Sequence, residues 1–337
     1  MRTAKLVEIG KIVVEETGKP ELKAPSQVLV QVKAVGICGT DLHIFRQGRE
    51  DVALPRVMGH ELAGVVEAVG ADVINVKIGD HVVLDPVISC GTCGVCRKGH
   101  GNVCKDVKCF GVQCDGGFQD YIVVEADKVF AYNQKVPFET AALGEPFSIA
   151  ANILSRTQTQ KDEHILVIGA GTIGLAITQA AKGKGVKVLV SDIFDKKLEF
   201  AKEFGADAIV NSTEENLQEA IEAFAPDGLD VIIDAVGRSR MIEMAVEIAP
   251  PLARIAVIGF DDIPANIPIV TITKKELTLV GSRMNNNRFG TVVEWLNSGV
   301  ITPNMITKTF KIENIQEAFE YTVNHPQDSI KTMIIFE

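Results

Sequence analysis

The chain has 337 residues, 46% hydrophobic and 23% charged, with a net charge of −10 at pH 7 and a pI near 5.2. That length implies about two domains with ample material for a core. The acidic balance, with no basic patch, argues against nucleic acid or an anionic membrane as the main partner. Charges interrupt MRTAKLVEIGKIVVEETG before any apolar run reaches signal-peptide length, and no segment reads as membrane-spanning. A soluble, cytoplasmic protein is expected.

As far as residue 145 the chain carries short β-type runs: KIVVEET, QVLVQVKAVG, LAGVVEAVG, DHVVLDPV and FQDYIVVE. Glycine, proline and aspartate punctuate them, which predicts an irregular, largely antiparallel β domain. Between the last two runs lies SCGTCGVCRKGHGNVC, Ser89 to Cys104, with four of the seven cysteines in sixteen residues. Its only other apolar side chains are Val95 and Val103, so burial cannot fold it.

The spacing Cys90-x2-Cys93-x2-Cys96-x7-Cys104 lets four thiolates close around one ion at about 2.3 Å each. Such a structural zinc supplies roughly 10–16 kcal/mol of apparent binding free energy. In a reducing compartment, clustered cysteines are metal ligands more often than disulfides. An iron–sulfur cluster favours a final gap of three followed by proline, whereas here the gap is seven and Lys105 follows. A redox Cys-x-x-Cys has no use for four cysteines, and a DNA-reading zinc ribbon conflicts with the acidic chain. Four thiolates fill the coordination sphere, so the site is structural and does no chemistry. Cys109 and Cys114 are left as free thiols.

Near residue 160 the pattern changes. HILVIG (164–169), VKVLVSD (186–192), AIV (208–210), DVIIDAVG (230–237), RIAVIGF (254–260) and LTLVG (277–281) read as strands. Helical stretches such as LQEAIEAFA (217–225) separate most of them, so a parallel, doubly wound α/β sheet is predicted. Gly169-Ala170-Gly171-Thr172-Ile173-Gly174 fits G-x-G-x-x-G between the first strand and a helix. There the glycines allow a tight turn, close approach of a pyrophosphate and close helix–strand packing. Asp192 ends the second strand, placed to accept both adenosine ribose hydroxyls and to repel a 2′-phosphate. NAD(H) is therefore expected over NADP(H), with Lys196 and Lys197 a weak counter-signal. The tail returns to the first style, with helices over 289–299 and 314–324 and strand-like MITKTFKI and KTMIIFE.

VGICGTDLHIF offers Cys38, Thr40, Asp41 and His43; PRVMGHELAGVVEAVG offers His60 and Glu61; LGEPFSIAAN offers Glu145. One cysteine, one histidine and one carboxylate make a three-ligand catalytic zinc site with an open fourth position, though spacing alone does not establish it. GHELAGVVEAVG matches G-H-E-x2-G-x5-G, the signature of the zinc-containing medium-chain alcohol dehydrogenases, and the whole chain resembles that family in motif order. CGTDLHIFR, DPVISCGTCGVC, FGVQCDGGFQDY, GEPFSIAAN and GSRMNNNRF resemble its polyol and sugar-acid branch, which includes sorbitol, threonine and L-galactonate dehydrogenases.

The resemblance implies a Rossmann NAD-binding domain (149–285) and an irregular GroES-like β-rich catalytic domain (1–148 and 286–337) whose zinc lobe spans 86–110. It implies hydride transfer between NAD and a secondary alcohol of a polyol or sugar acid such as an L-galactonate-type aldonate. Catalytic zinc would rest on Cys38, His60 and either Glu61 or Glu145, where liver-type members have cysteine at the latter position. Thr40 would take the alcohol proton and pass it through the cofactor ribose to His43. Arg46 and Arg283 are expected at substrate oxygens, with Phe118 and Phe147 lining the pocket or simply packing. A homodimer or homotetramer is expected, with LTLVG a joining strand. The rivals are a zinc-free quinone or enone reductase, which lacks these ligands, and an NAD-responsive regulatory protein on the same fold.

Overall fold

The computed structural model describes residues 1–259 and 262–337. They form two compact units, Met1–Ser148 with Asn285–Glu337, and Ile149–Met284 inserted between. No helix among the described residues is long and apolar enough to cross a membrane.

The first unit begins with a hairpin of β1 (Arg2–Glu8) and β2 (Lys11–Glu16). Next come β3 (Gln27–Gly36), β4 (Glu61–Val69), β5 (His81–Leu84), β6 (Val87–Ile88), β7 (Lys108–Cys109), β8 (Tyr121–Glu125) and β9 (Val129–Ala131). The second unit supplies β10 (His164–Ile168), β11 (Lys187–Asp192), β12 (Ala208–Asn211), β13 (Val231–Asp234), β14 (Arg254–Val257) and β15 (Thr278–Gly281). The chain then returns to the first unit with β16 (Ile306–Lys311) and β17 (Lys331–Ile335).

In the first unit, β16-β17-β3-β4-β5-β9 is the order of one sheet, with β8 also on β3. All its pairs are antiparallel except β16 with β17. β3 is rich in valine, which suits a pleated surface buried by its neighbours; Val28, Val30, Val32 and Val35 are buried in the core with Phe118 and Phe319. The run DHVVLDPV forms two strands rather than one, because Pro86 has no N–H for a ladder and separates β5 from β6. In register, Gly36 at the end of β3 faces Glu61 at the start of β4. That pairing brings Cys38, just past β3, beside His60, just before β4.

In the second unit the order is β12-β11-β10-β13-β14-β15, all parallel, as the alternating pattern predicts. Ile165, Leu166, Val167, Val188, Leu189 and Val190 are fully buried, as expected of strands covered on both faces. Strand order reverses between β10 and β13, which makes the carboxyl end of β10 the switch point. β15 is one of the two edge strands, with Leu279 exposed. The run RIAVIGF forms β14, and its last residue, Phe260, lies outside the described residues. Ile269–Lys275 is helical despite its β-branched composition. β14 and β15 are parallel, so a crossover must join them, and Pro268 at the N-cap starts it.

Candidate metal and dinucleotide sites

The four lobe cysteines are free thiols whose sulfurs converge. Cys93–Cys96 and Cys104–Cys90 are 3.4 Å apart, Cys93–Cys104 3.8 Å and Cys90–Cys96 3.9 Å. A tetrahedron with zinc–sulfur bonds of about 2.3 Å has edges of about 3.8 Å, so the group fits a structural zinc. The separations far exceed the roughly 2.05 Å of a disulfide. Backbone N–H groups of Thr92 and Cys93 hold the Cys90 thiol down to about 6, toward the thiolate that binds metal. The asparagines following Met284 serve this lobe: Asn286 Nδ2 lies 3.2 Å from His100 Nδ1, and Asn287 Nδ2 donates to the Gly99 carbonyl at 3.3 Å. Asn285, buried, donates to Asp85 Oδ1 at 2.9 Å.

The helix Gly39–Gln47 starts on a capping box in which Asp41, at its third position, accepts the Cys38 N–H at 3.0 Å. The same carboxylate accepts the Gly59 N–H at 3.3 Å, so one buried aspartate fastens both segments that carry the candidate ligands. Donor atoms of Cys38, His60 and Glu61 all lie within 4.8 Å of one another. His60 and Glu61 are buried, and His60 Nδ1 lacks a hydrogen-bond partner. His60 Nδ1 faces Asp41 Oδ1 at 3.7 Å, an ion-pair separation rather than a hydrogen bond. Burial alone would lower the His60 imidazole, but Asp41 and Cys38 outweigh it and raise it well above its ordinary value. A thiol, an imidazole and a carboxylate in so anionic a setting fit a zinc ion with an open fourth position.

Of the two carboxylates the sequence left open, Glu61 is the one grouped with Cys38 and His60. Glu145 is also buried, and that burial pushes its carboxyl up to about 7. A lysine unforeseen in the sequence completes the centre. Lys331 Nζ, in the first residue of β17, donates to Glu61 Oε1 at 2.6 Å and to the Ile37 carbonyl at 3.1 Å. The ammonium is also 2.6 Å from Glu61 Oε2, and both side chains are at most 2% exposed. Asp41 had a legible signal, a carboxylate at the third position of a helix; Lys331, heading an apolar strand, had none. Cys109 and Cys114 are free thiols, and burial pushes Cys109 up to about 12.

In the second unit the glycine turn leaves β10 and enters the helix Thr172–Gly183. Gly169 has φ +99°, a left-handed value that favours glycine. A Cβ on Gly174 would sit 1.8 Å from the Gly169 carbonyl oxygen, so only glycine packs there. Gly171 has nothing within 4 Å of its Cβ position, leaving the backbone open to a ligand. Thr172 and Ile173 open the helix, half-buried. Asp192 Oδ2 accepts the Ala170 N–H at 2.7 Å, which links the carboxylate directly to the turn. These residues fit a dinucleotide by an uncovered backbone at a helix start beside a fixed carboxylate.

The other expected residues are scattered. Thr40 is half-buried, and His43 and Arg46 lie exposed on the helix Gly39–Gln47. Arg283, beyond β15 in the second unit, is exposed. Phe118 is 1% exposed, its ring edge-on to Phe319 at 5.8 Å in the core, and Phe147 packs edge-on to Trp295 at 6.4 Å. Both rings pack against aromatic neighbours of the first unit.

Comparison with known proteins agrees with this chemistry. Residues 24–134 match the alcohol dehydrogenase GroES-like domain, and residues 172–298 match the zinc-binding dehydrogenase family. The starvation-sensing protein RspB of Escherichia coli K12 is 40% identical, with 94% of each chain covered. Sorbitol dehydrogenase of Bacillus subtilis 168 is 33% identical over 99% of this chain and 97% of its own. A crystal structure of RspB from E. coli CFT073, complexed with cofactor NADH, superposes with a TM-score of 0.94 at 37% identity, covering 100% of this chain and 99% of that one. Likeness along the whole length, joined to two zinc-competent donor groups, means that the chain belongs to the zinc-containing medium-chain alcohol dehydrogenases, zinc-dependent enzymes acting on alcohols and polyols.

Proposed function

We propose that this enzyme transfers a hydride between NAD and a secondary alcohol of a polyol or sugar acid. The observation that carries the reading is the convergence of Cys38, His60 and Glu61 with a coordination position to spare. Those residues would hold the catalytic zinc, with Glu145 nearby as an alternative ligand; Cys90, Cys93, Cys96 and Cys104 would hold the structural one. Bound there, zinc supplies Lewis-acid stabilisation of negative charge on the substrate oxygen, a contribution of several kcal/mol.

The protein's own groups do the rest. Thr40 and His43, three apart on one helix, share a face. The Thr40 hydroxyl takes the alcohol proton, and exposed His43 passes it to solvent, histidine being the side chain that exchanges protons near neutrality. Gly169, Gly171 and Gly174, with Thr172 and Ile173, seat the pyrophosphate. Asp192 accepts the ribose hydroxyls and disfavours a 2′-phosphate. Arg46 or Arg283 meets substrate oxygens; a bidentate grip on a carboxylate would favour an aldonate of the L-galactonate type.

The test is a screen for NAD+ reduction over polyols, aldonates, uronates and amino alcohols, using protein whose zinc content has been measured. About two zinc ions per chain are expected. On the best substrate, Cys38→Ser is expected to lower kcat/KM at least about a thousandfold, close to 4 kcal/mol. A Cys38→Ser enzyme as fast as wild type would falsify the catalytic assignment. A silent panel with tight NADH binding would favour a regulatory protein instead.

A further inference from the structure

The runs GEPFSIAAN and GSRMNNNRF meet at Asn152, and the mechanism above has no task for that residue. Asn152 lies in the helix Gly144–Arg156 and is 1% exposed. Its Nδ2 donates to Ser282 Oγ and to the Met284 carbonyl, each at 3.1 Å. A carbonyl can only accept, so the amino end of the carboxamide must face this segment. Four residues on, and so on the same helix face, Arg156 Nε donates to the Gly281 carbonyl at 3.2 Å. The helix therefore holds the chain at Gly281, Ser282 and Met284, on both sides of exposed Arg283.

Two costs mark this clasp. Asn152 Oδ1 is buried without a hydrogen-bond partner, so its desolvation is uncompensated. Met284 has φ +51°, in the left-handed region that side chains other than glycine rarely adopt. Backbone of that kind persists where its surroundings over-determine it, and it clusters at functional sites. A plain connection onward from β15 calls for neither.

We propose that Asn152 is a positioning residue: by clasping Ser282 and Met284 it fixes the backbone that carries Arg283, so that the guanidinium meets a substrate carboxylate in one orientation. The inference rests on the reading that the substrate is a sugar acid and that Arg283, rather than Arg46, grips it. A bidentate grip is specific because two N–H groups must be aimed at once, and a loosened backbone loses that aim.

The experiment is steady-state kinetics of the zinc-replete full chain at saturating NAD+. The probes are L-galactonate and D-sorbitol, a polyol without a carboxylate. Each is read as substrate or, where it is not turned over, as a competitive inhibitor of the panel's best substrate. Asn152→Ala is expected to raise KM or Ki for L-galactonate about tenfold, the low end for a hydrogen bond to a charged group. The kcat and the D-sorbitol constant should stay within about twofold. In an Arg283→Gln background, Asn152→Ala should add nothing further. Asn152→Leu, which keeps the volume and removes the donors, should match Asn152→Ala. Ser282→Ala removes one arm of the clasp; it should shift the same constant in the same direction, and it stands in should neither Asn152 variant fold. NADH fluorescence titration reports a folded second unit. An unchanged L-galactonate constant, an equal rise for D-sorbitol, or an equal rise in the Arg283→Gln background overturns the proposal. If Arg283→Gln itself has no effect, or wild type takes neither probe, the substrate reading fails and the inference falls with it, a result distinct from failure of the clasp.

Discussion

Three backbone N–H groups hold the Asp192 carboxylate: Ala170 at 2.7 Å on Oδ2, and Ile193 at 2.8 Å and Phe194 at 3.0 Å on Oδ1. Oδ1 already accepts two of them, so Oδ2 keeps the acceptor capacity toward a ribose hydroxyl, and its direction is set by the glycine turn. Hydrogen bonds to a charged group are worth about 1.5–3 kcal/mol, or about 10–150-fold. Asp192→Asn is therefore expected to lower kcat/KM for NAD+ at least about tenfold and to raise the relative use of NADP+, since the repelling charge is gone. Steady-state kinetics with both cofactors checks this; an unchanged NAD+/NADP+ ratio would show that Asp192 does not discriminate. Zinc content should not move, because Asp192 lies in the other unit from the candidate metal ligands.

At the scale of elements, Asp207 joins a helix to a strand. Its carboxylate accepts Lys182 Nζ at 2.7 Å, from the last turn of Thr172–Gly183, and the Val188 N–H of β11 at 2.8 Å. Burial alone would raise its carboxyl, but the bonds from Lys182 and Val188 outweigh it and hold it below the ordinary 3.8. The unfolded chain then binds the more protons, so the contribution is present above 3.8 and lost as pH falls through the lower folded value. Asp207→Asn should cost about 1 kcal/mol at pH 7, the low end suiting a side chain 27% exposed. Urea melts at decreasing pH should show the gap to wild type closing below pH 4; a gap independent of pH counts against it. Elements of this kind were the legible part of the sequence. Runs such as HILVI and QVLVQVKAVG carry their own pattern, and the cysteine spacing and glycine turn name their chemistry. The helix Ile269–Lys275 was hidden because β-branched residues oppose it and only the parallel crossover demands it. The Lys331–Glu61 pair was hidden because β17 and β4 are far apart in sequence, and no local pattern marks a lysine whose partner comes from another strand.

Over the whole molecule, the first unit is built from both ends of the chain. β17 lies between β16 and β3, parallel to one and antiparallel to the other, so the last strand formed is an interior strand. Within and just after it, Met333 and Ile334 are fully buried and Phe336 is 5% exposed. Full burial of such side chains contributes about 1.5–3 kcal/mol each, so these three carry roughly 5–9 kcal/mol. A typical domain has only about 5–15 kcal/mol of net stability. Removing residues 331–337 also leaves Glu61 buried without its cation and strips β3 of a hydrogen-bonded neighbour. The truncated chain is therefore expected to lose the first unit as a folded body. Its second zinc should be absent and activity gone, and proteolysis should cut within 1–148 while fragments from 149–284 persist. The second unit keeps its complete strand set and its own core in that chain, which is why its fragments should outlast the rest. A truncated protein that retains two zinc ions per chain and resists protease across 1–148 would show that the returning strand is dispensable.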